Sequence, residues 1–150
     1  MNIVITKATA GELNRVLELS KMFDPEEVGR AAKINDAIVA GLVWMARNEE
    51  KTIGYCLVQL FGAEHEQLPN SIFIADLFVL EEYRGQGVGS QLLKTILSSR
   101  FPTNYKSFSI THAPEEKHLT EFYKEFGFVE KGVTKAGNIK MQLLIDNHKI

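Results

Sequence analysis

The segment Ile72–Leu97 constrains this chain more than any other. It reads Ile-Phe-Ile-Ala-Asp-Leu-Phe-Val-Leu, then Glu-Glu-Tyr-Arg-Gly-Gln-Gly-Val-Gly-Ser, then Gln-Leu-Leu-Lys-Thr-Ile-Leu. An apolar strand enters a loop with three glycines, and the loop opens a helix whose stripe is Leu92, Leu93, Ile96 and Leu97. Glycine adopts positive φ freely and lets a backbone approach a ligand closely. The start of a helix leaves four amide N–H groups without intrahelical partners and carries partial positive charge. Together these features make a site for phosphate or pyrophosphate.

Which anion loop is it? A P-loop needs four residues between its glycines and then Gly-Lys-Ser/Thr. Here Gly85, Gly87 and Gly89 alternate, Ser90 follows, and there is no lysine. A dinucleotide fingerprint needs glycine where Ser90 stands and an acidic residue about 20 positions on. Ser107 to Ile110 holds no acid. A ligand-free strand-to-helix turn is the plain structural alternative.

Arg84-Gly85-Gln86-Gly87-Val88-Gly89 resembles the R/Q-x-x-G-x-G/A signature of the GNAT superfamily of N-acetyltransferases. A second stretch, Phe122-Tyr123-Lys124-Glu125-Phe126-Gly127-Phe128, is similar to that family's F-Y-x-x-x-G-F helix end. The two occur in the family's order and separation.

The chain read from end to end supports the same resemblance. Residues 3–7 are rich in β-branched side chains and read as a strand. Thr9 and Glu12 form a capping-box pattern ahead of a helix carrying Leu13, Val16, Leu17 and Ser20 on one face. After Asp24-Pro25, a second helix is expected to align Val28, Ala31, Ile34 and Ile38 and to close at Gly41. Leu42–Arg47 and Thr52–Phe61 read as a hairpin, Gly62–Asn70 as a polar loop, and Ile72–Leu80 as a central strand. Tyr105–Thr111 follows as a strand. A helix then carries Leu119, Phe122, Tyr123 and Phe126 and stops at Gly127, and Phe128–Val133 and Asn138–Ile145 are the last strands. The order β-α-α-β-β-β-α-β-α-β-β predicts an α/β (α+β) layer fold. The resemblance implies a single domain over 1–150, a three-layer fold with a mixed, mostly antiparallel central sheet flanked by helices.

Composition excludes other classes. With 150 residues, 45% hydrophobic and 24% charged, the chain reads as one globular domain able to bury a core. A formal net charge of −2 gives no general attraction to nucleic acid or to an anionic membrane. One cysteine, Cys56, rules out an intramolecular disulfide and sits in an apolar run as a small core residue. No stretch approaches the roughly 20 apolar residues of a membrane span. The N-terminus lacks the pattern of a signal peptide, so cytoplasmic residence is the default expectation. No His/Cys/Asp/Glu spacing suggests a metal, and none is expected. Trp44 reads as core, and His118 and His148 as surface.

The resemblance implies acetyl-CoA as co-substrate and direct acetyl transfer to a primary amine in a ternary complex. It places the pyrophosphate over Arg84, Gly85, Gln86, Gly87, Val88, Gly89 and Ser90. Arg84 adds a charge contact or, alternatively, pairs with Glu81 or Glu82. Leu77, Phe78 and Val79 match the strand whose backbone pairs with the pantetheine arm, with an amide facing the thioester oxygen. Tyr123 matches the family's general acid; its structural alternative is a core aromatic.

The base is open. Asp76, Glu64, His65, Glu66, His112 and water are candidates, because an ammonium near pKa 10.4 cannot attack. Asp76 stands out as the lone charge in Ile72–Leu80, where a carboxylate has either a task or an ion-pair partner. Residues 75–90 also resemble diamine and polyamine N-acetyltransferases. Ala75 stands where that branch commonly has glutamate, and Glu116 stands at the second motif's upstream asparagine. Both departures count against a polyamine, but a cationic substrate fits Glu64, Glu66, Asp76 and Glu116 if they converge on one mouth, and a small cationic amine or polyamine is the expected acceptor. A protein lysine or N-terminal amine, and a catalytically silent CoA-binding regulator, are the alternatives. The family leads one to expect a homodimer.

Overall fold

The computed structural model describes residues 1–102 and 104–145. Its elements are β1 (Ile3–Lys7), α1 (Leu13–Phe23), α2 (Arg30–Val39), β2 (Val43–Asn48), β3 (Lys51–Phe61), β4 (Ser71–Val79), α3 (Val88–Leu97), β5 (Ser107–His112), α4 (Lys117–Lys124), β6 (Val129–Val133) and β7 (Ile139–Leu144). Short 3₁₀ turns at Ala10–Glu12 and Glu81–Tyr83 lead into α1 and the glycine loop. The strands form one sheet in the order β1-β2-β3-β4-β5-β7-β6. The pairs β1/β2, β2/β3, β5/β7 and β6/β7 are antiparallel, and β4/β5 is parallel. This is the mixed, mostly antiparallel sheet that the resemblance implied.

The chain packs as two compact units. One comprises Met1–Gln59 with Ala75–Ser99, the other Leu60–Ile74 with Arg100 onward. Strands β3 and β4 contribute residues to both.

In the first unit the core gathers Val16, Ile34, Met45, Ile53, Tyr55, Leu57, Leu92, Leu93 and Ile96, all fully buried. Gly54 permits a close approach that positions β4. A Cβ there would lie 2.8 Å from the Phe78 carbonyl oxygen, a distance no real side chain accepts. In the second unit Phe108, Ile110, Tyr123, Phe128 and Met141 are buried. There the parallel ladder pairs Ser71–Phe73 with Ser107–Ser109, and Ser109 Oγ donates to Ser71 Oγ at 2.9 Å.

The capping pattern at Thr9 forms, with the Thr9 N–H donating to Glu12 Oε1 at 2.9 Å. One expectation was out of phase. Val28 is 95% exposed and lies before α2, and Ala31 is exposed, so neither belongs to the buried stripe. Gly29, at φ 80, turns the chain, and α2 starts one residue later. The buried stripe is Arg30, Ile34 and Ile38.

Candidate active site

The glycine loop is built locally. Leu80 N–H donates to Ile53 O at 2.8 Å and ends β4. Tyr83 N–H then reaches Leu80 O, and Arg84 N–H reaches Glu81 O, at 2.9 and 3.2 Å. Gly85 and Gly87 follow at φ 76 and 85, the left-handed region that costs any other L-residue about 1–2 kcal/mol. A Cβ at either would meet no atom within 4 Å. Glycine is needed there for the backbone path, and the space beside it is open.

The first helical hydrogen bond of α3 runs from Gln91 N–H to Gly87 O at 3.0 Å. The N–H groups of Val88, Gly89 and Ser90 therefore have no intrahelical acceptor. No side chain caps this end. A missing cap costs about 1 kcal/mol. Buried Val88, Leu92, Leu93 and Ile96 each contribute roughly 1.5–3 kcal/mol, so packing holds the helix start in place with its donors free. Three unpaired amides at the positive end of α3 suit a diphosphate, and the residues present fit the pyrophosphate of acetyl-CoA.

Among the described residues Arg84 makes no ion pair with Glu81 or Glu82. Its Nε–H donates to Val79 O at 2.8 Å, and its guanidinium lies 5.4 Å over the Phe78 ring. Glu82 pairs with Lys51 instead, at 3.7 Å. An open-sided cavity of about 730 Å³ in this unit is lined by Glu18, Glu50, Glu81 and Glu82 together with Arg15, Lys51, Arg84 and Phe78.

Asp76 is 3% exposed and is not alone. It forms an ion pair with Arg30, and the Tyr55 hydroxyl donates to its Oδ2 at 2.8 Å. Arg30 is itself buried. It donates further to Ser20 Oγ and to Glu27, and its Nη2 lies 3.3 Å from Tyr55 OH. Glu27 holds Lys33 at 3.1 Å. Phe23, Tyr55 and Phe78 form a ring triangle with centroids 6.2–6.5 Å apart, and Arg30 lies 5.7 Å over Phe23.

Burial pushes the Asp76 carboxyl up from the ordinary carboxylate range; Tyr55 and Arg30 pull it back without cancelling the rise. Burial works against the Arg30 charge, yet Asp76 and Tyr55 raise its pKa overall. Burial, then Asp76, pushes the Tyr55 phenol up. Burial likewise pushes the Cys56 thiol up, which makes it inert as a nucleophile.

The structure thus realises the ion-pair alternative at Asp76. The sequence reading missed its partner. The available signal was a cation at the i position of the i, i+4, i+8 stripe Arg30-Ile34-Ile38, the helical counterpart of a carboxylate in an apolar strand.

In the second unit, Tyr123 is 5% exposed on α4. Its ring neighbours are Phe122, Phe128 and His112, at 5.3, 6.0 and 6.2 Å between centroids. Its carbonyl accepts from Phe126 and Phe128 N–H at 3.0 and 3.3 Å, closing the helix. Gly127, at φ 99, then carries the chain away.

His112 engages both ring nitrogens. Nδ1 lies 2.8 Å from Ala113 O, an acceptor only, so Nδ1 carries a proton. Nε2 lies 2.8 Å from Thr120 Oγ1, whose hydroxyl donates to it in the neutral ring. Glu116 Oε1 accepts from Ala113 N–H at 3.4 Å.

The Gly62–Asn70 loop is closed by Asn70 N–H to Gly62 O at 2.9 Å. Glu66 pairs with Lys135, and Gln67 Oε1 accepts from Lys135 N–H at 2.8 Å. His65 stacks on Phe61 at 3.9 Å, and its Nδ1 accepts from Leu68 N–H at 2.9 Å. Glu64 is exposed.

Asp76, Leu77–Val79 and Arg84–Ser90 therefore belong to the first unit, and His112 and Tyr123 to the second. Trp44 is core at 3% exposure and His118 is exposed, while His148 lies outside the described residues. Among the described residues no group of three or more His, Cys, Asp or Glu could hold a metal ion. No helix among them is long and apolar enough to cross a membrane.

Comparison with known proteins agrees with this geometry. The profile of the acetyltransferase (GNAT) domain matches residues 40–130. A thialysine N-epsilon-acetyltransferase from Sus scrofa is 30% identical over 57 residues, 38% of this chain and 34% of that protein. The matched stretch thus spans about a third of that relative's length. A GNAT-family acetyltransferase from Bacillus cereus superposes with a TM-score of 0.79 at 16% identity, covering 98% of this chain and 100% of that one. PaiA N-acetyltransferase from Thermoplasma acidophilum, solved in complex with coenzyme A, gives 0.76 at 16% identity, covering 97% and 100%. At these identities the structures speak to the fold, and the profile spans most of the chain. Together with the loop that opens α3, they place the chain in the acetyltransferase (GNAT) domain family.

Proposed function

We propose that this chain transfers an acetyl group from acetyl-CoA to a primary amine by direct attack in a ternary complex. The observation that carries the reading is the start of α3. Val88, Gly89 and Ser90 present N–H groups without intrahelical acceptors, next to two positive-φ glycines with open space around them. Acetyl-CoA, when bound, supplies an activated thioester. The backbone of Arg84 to Ser90 holds its pyrophosphate, and the backbone of Leu77, Phe78 and Val79 aligns its pantetheine arm. Arg84 secures the end of that strand through Val79 O. A β4 amide stabilises charge developing on the thioester oxygen. Tyr123 donates its phenolic proton to the departing thiolate.

Water or the exposed Glu64 takes the proton from the amine. Asp76 holds Arg30, Glu66 holds Lys135, and His112 uses both ring nitrogens. Glu18, Glu50, Glu81 and Glu82 line the first unit's cavity beside Arg15, Lys51 and Arg84, an excess of one negative charge that favours a small cationic amine or polyamine as acceptor. The segment shared with a thialysine N-epsilon-acetyltransferase points the same way.

The test is acetyl-CoA-dependent release of free thiol with a panel of polyamines, aminoglycosides, amino acids and lysine peptides. Acceleration by small polycations is the expected result. Acceleration by peptides alone would move the acceptor to protein amines. Loss of acetyl-CoA binding in the wild-type protein would overturn the assignment of the loop.

A further inference from the structure

Arg30 stands where a cation is least welcome. It is the first residue of α2, where the macrodipole disfavours positive charge, and its side chain is 5% exposed. No other residue from Lys21 to Lys33 is buried. Its guanidinium nevertheless gathers four elements: Ser20 of α1, Glu27 of the turn before α2, Tyr55 of β3 and Asp76 of β4. The charges that meet here are Arg30 and Lys33 against Glu27 and Asp76, so the cluster is neutral as a whole. A buried ion pair seldom adds net stability over an apolar pair of the same volume. What such a pair does supply is a fixed geometry, with a large penalty if only one member is removed.

We propose that Arg30 is a positioning residue of the transfer site. Through Asp76 and Tyr55 it fixes the register of β4 immediately before Leu77–Val79 and pins the Asp24–Gly29 turn and the Phe23/Tyr55/Phe78 rings to it. Asp76 is thereby a structural counter-ion of Arg30 and takes no proton from the amine. An acetyl acceptor is recognised by groups other than Asp76, because that carboxylate is already matched by the chain's own cation. The kinetic part of this inference rests on the acetyl-transfer reading above; the pairing itself does not.

A four-protein cycle tests it: wild type, Arg30→Met, Asp76→Asn, and the double variant, with Arg30→Lys as a fifth protein that keeps a cation beside Asp76. Each is read for Tm, acetyl-CoA Kd, and kcat and KM against pH. Each single variant should lower Tm by roughly 10 °C, because one buried charge loses its partner. It should also lower kcat/KM about a hundredfold, because a small displacement of the reacting strand is costly. The double variant should recover most of both losses and keep the wild-type acidic limb of the pH profile. Arg30→Lys should fold and fall between wild type and Arg30→Met.

A double variant that regains Tm but stays as slow as Asp76→Asn, with the acidic limb gone, would make Asp76 the base and overturn the proposal. If the wild type binds acetyl-CoA but turns over no amine, the acetyl-transfer reading fails instead. Arg30 is then judged on Tm and acetyl-CoA Kd: strong non-additivity of the two substitutions in both supports it, and additivity overturns it.

Discussion

The loop at Arg84–Ser90 and the cluster around Asp76 lie in the same unit and are joined by one strand, yet they are built on opposite principles. The loop leaves its polar groups unspent. Its amides at Val88, Gly89 and Ser90 lack intrahelical acceptors, Gly85 and Gly87 face open space, and its stability comes from the buried face of α3. The Asp76 cluster spends its polar groups internally: the carboxylate, the guanidinium and the phenol all have protein partners and are out of water. Unsatisfied donors at a surface cost little, because water serves them until a ligand arrives. Unsatisfied charges in a core cost several kcal/mol, so they must be matched within the fold. One region is therefore poised to bind, and the other to hold.

The contrast is broken most sharply at Gly87. Gly87→Val forces a β-branched residue to φ 85 at the mouth of α3. Acetyl-CoA should bind about a hundredfold more weakly, from left-handed strain and roughly one lost charge-assisted hydrogen bond. Tm should fall only a few degrees, since a Cβ there touches nothing. Calorimetric titration beside thermal unfolding checks both. Equal damage to stability and affinity would contradict the division drawn here.

Next in size is Tyr123→Phe, which keeps the buried ring and removes the hydroxyl. We expect kcat to fall roughly tenfold to a hundredfold, the low end for a general acid because thiolate is a fair leaving group. Acetyl-CoA affinity should stay unchanged. An unaltered kcat at every pH would leave Tyr123 as packing alone.

Tyr55→Phe should give the mirror image of Gly87→Val. The Asp76 and Arg30 contacts of its hydroxyl disappear, costing about 1–3 kcal/mol of stability by urea unfolding. Acetyl-CoA Kd should move less than it does in Arg30→Met or Asp76→Asn, because the Arg30–Asp76 pair that holds β4 remains.

The smallest effect concerns pH. Burial disfavours the Glu27 charge, but Lys33 and then Arg30 outweigh it and hold its carboxyl below the usual range. A depressed carboxylate contributes stability that is present above its unfolded pKa, near 4.5, and is lost as pH falls through the folded value. Glu27 is about one-third exposed, so solvent limits the contribution to about 1 kcal/mol or less. Glu27→Gln should lower Tm slightly across the neutral region and leave it unchanged at low pH, so the acid side of the Tm–pH curve becomes slightly flatter. A steeper acid side would reverse the sign argued here.

How much of this was legible in the residues follows the range of the interactions. The glycine loop spans seven positions, and its hydrogen bonds reach three to five residues, so composition and spacing describe it nearly completely. The capping box at Thr9 and Glu12, the helix stop at Gly127 and the hairpin turn between Asn48 and Lys51 are legible for the same reason. The expected face of the second helix failed because an apolar count admitted Val28 and passed over Arg30. A buried arginine looks like a surface residue until its counter-ion, 46 positions away, is known. His112 behaved likewise: the sequence shows no partner for it until the fold brings Ala113 and Thr120 onto its two ring nitrogens.

By itself, then, the sequence determined the order of elements, the glycine loop that opens α3 and the family to which the chain belongs, because each rests on neighbours within a turn or two. Only the tertiary structure decided that Asp76 has a partner, that Arg84 turns back onto Val79 and Phe78, and that the strand order runs β5-β7-β6 at one edge. Those outcomes depend on which distant charges and faces can be satisfied together, a condition that no local pattern records.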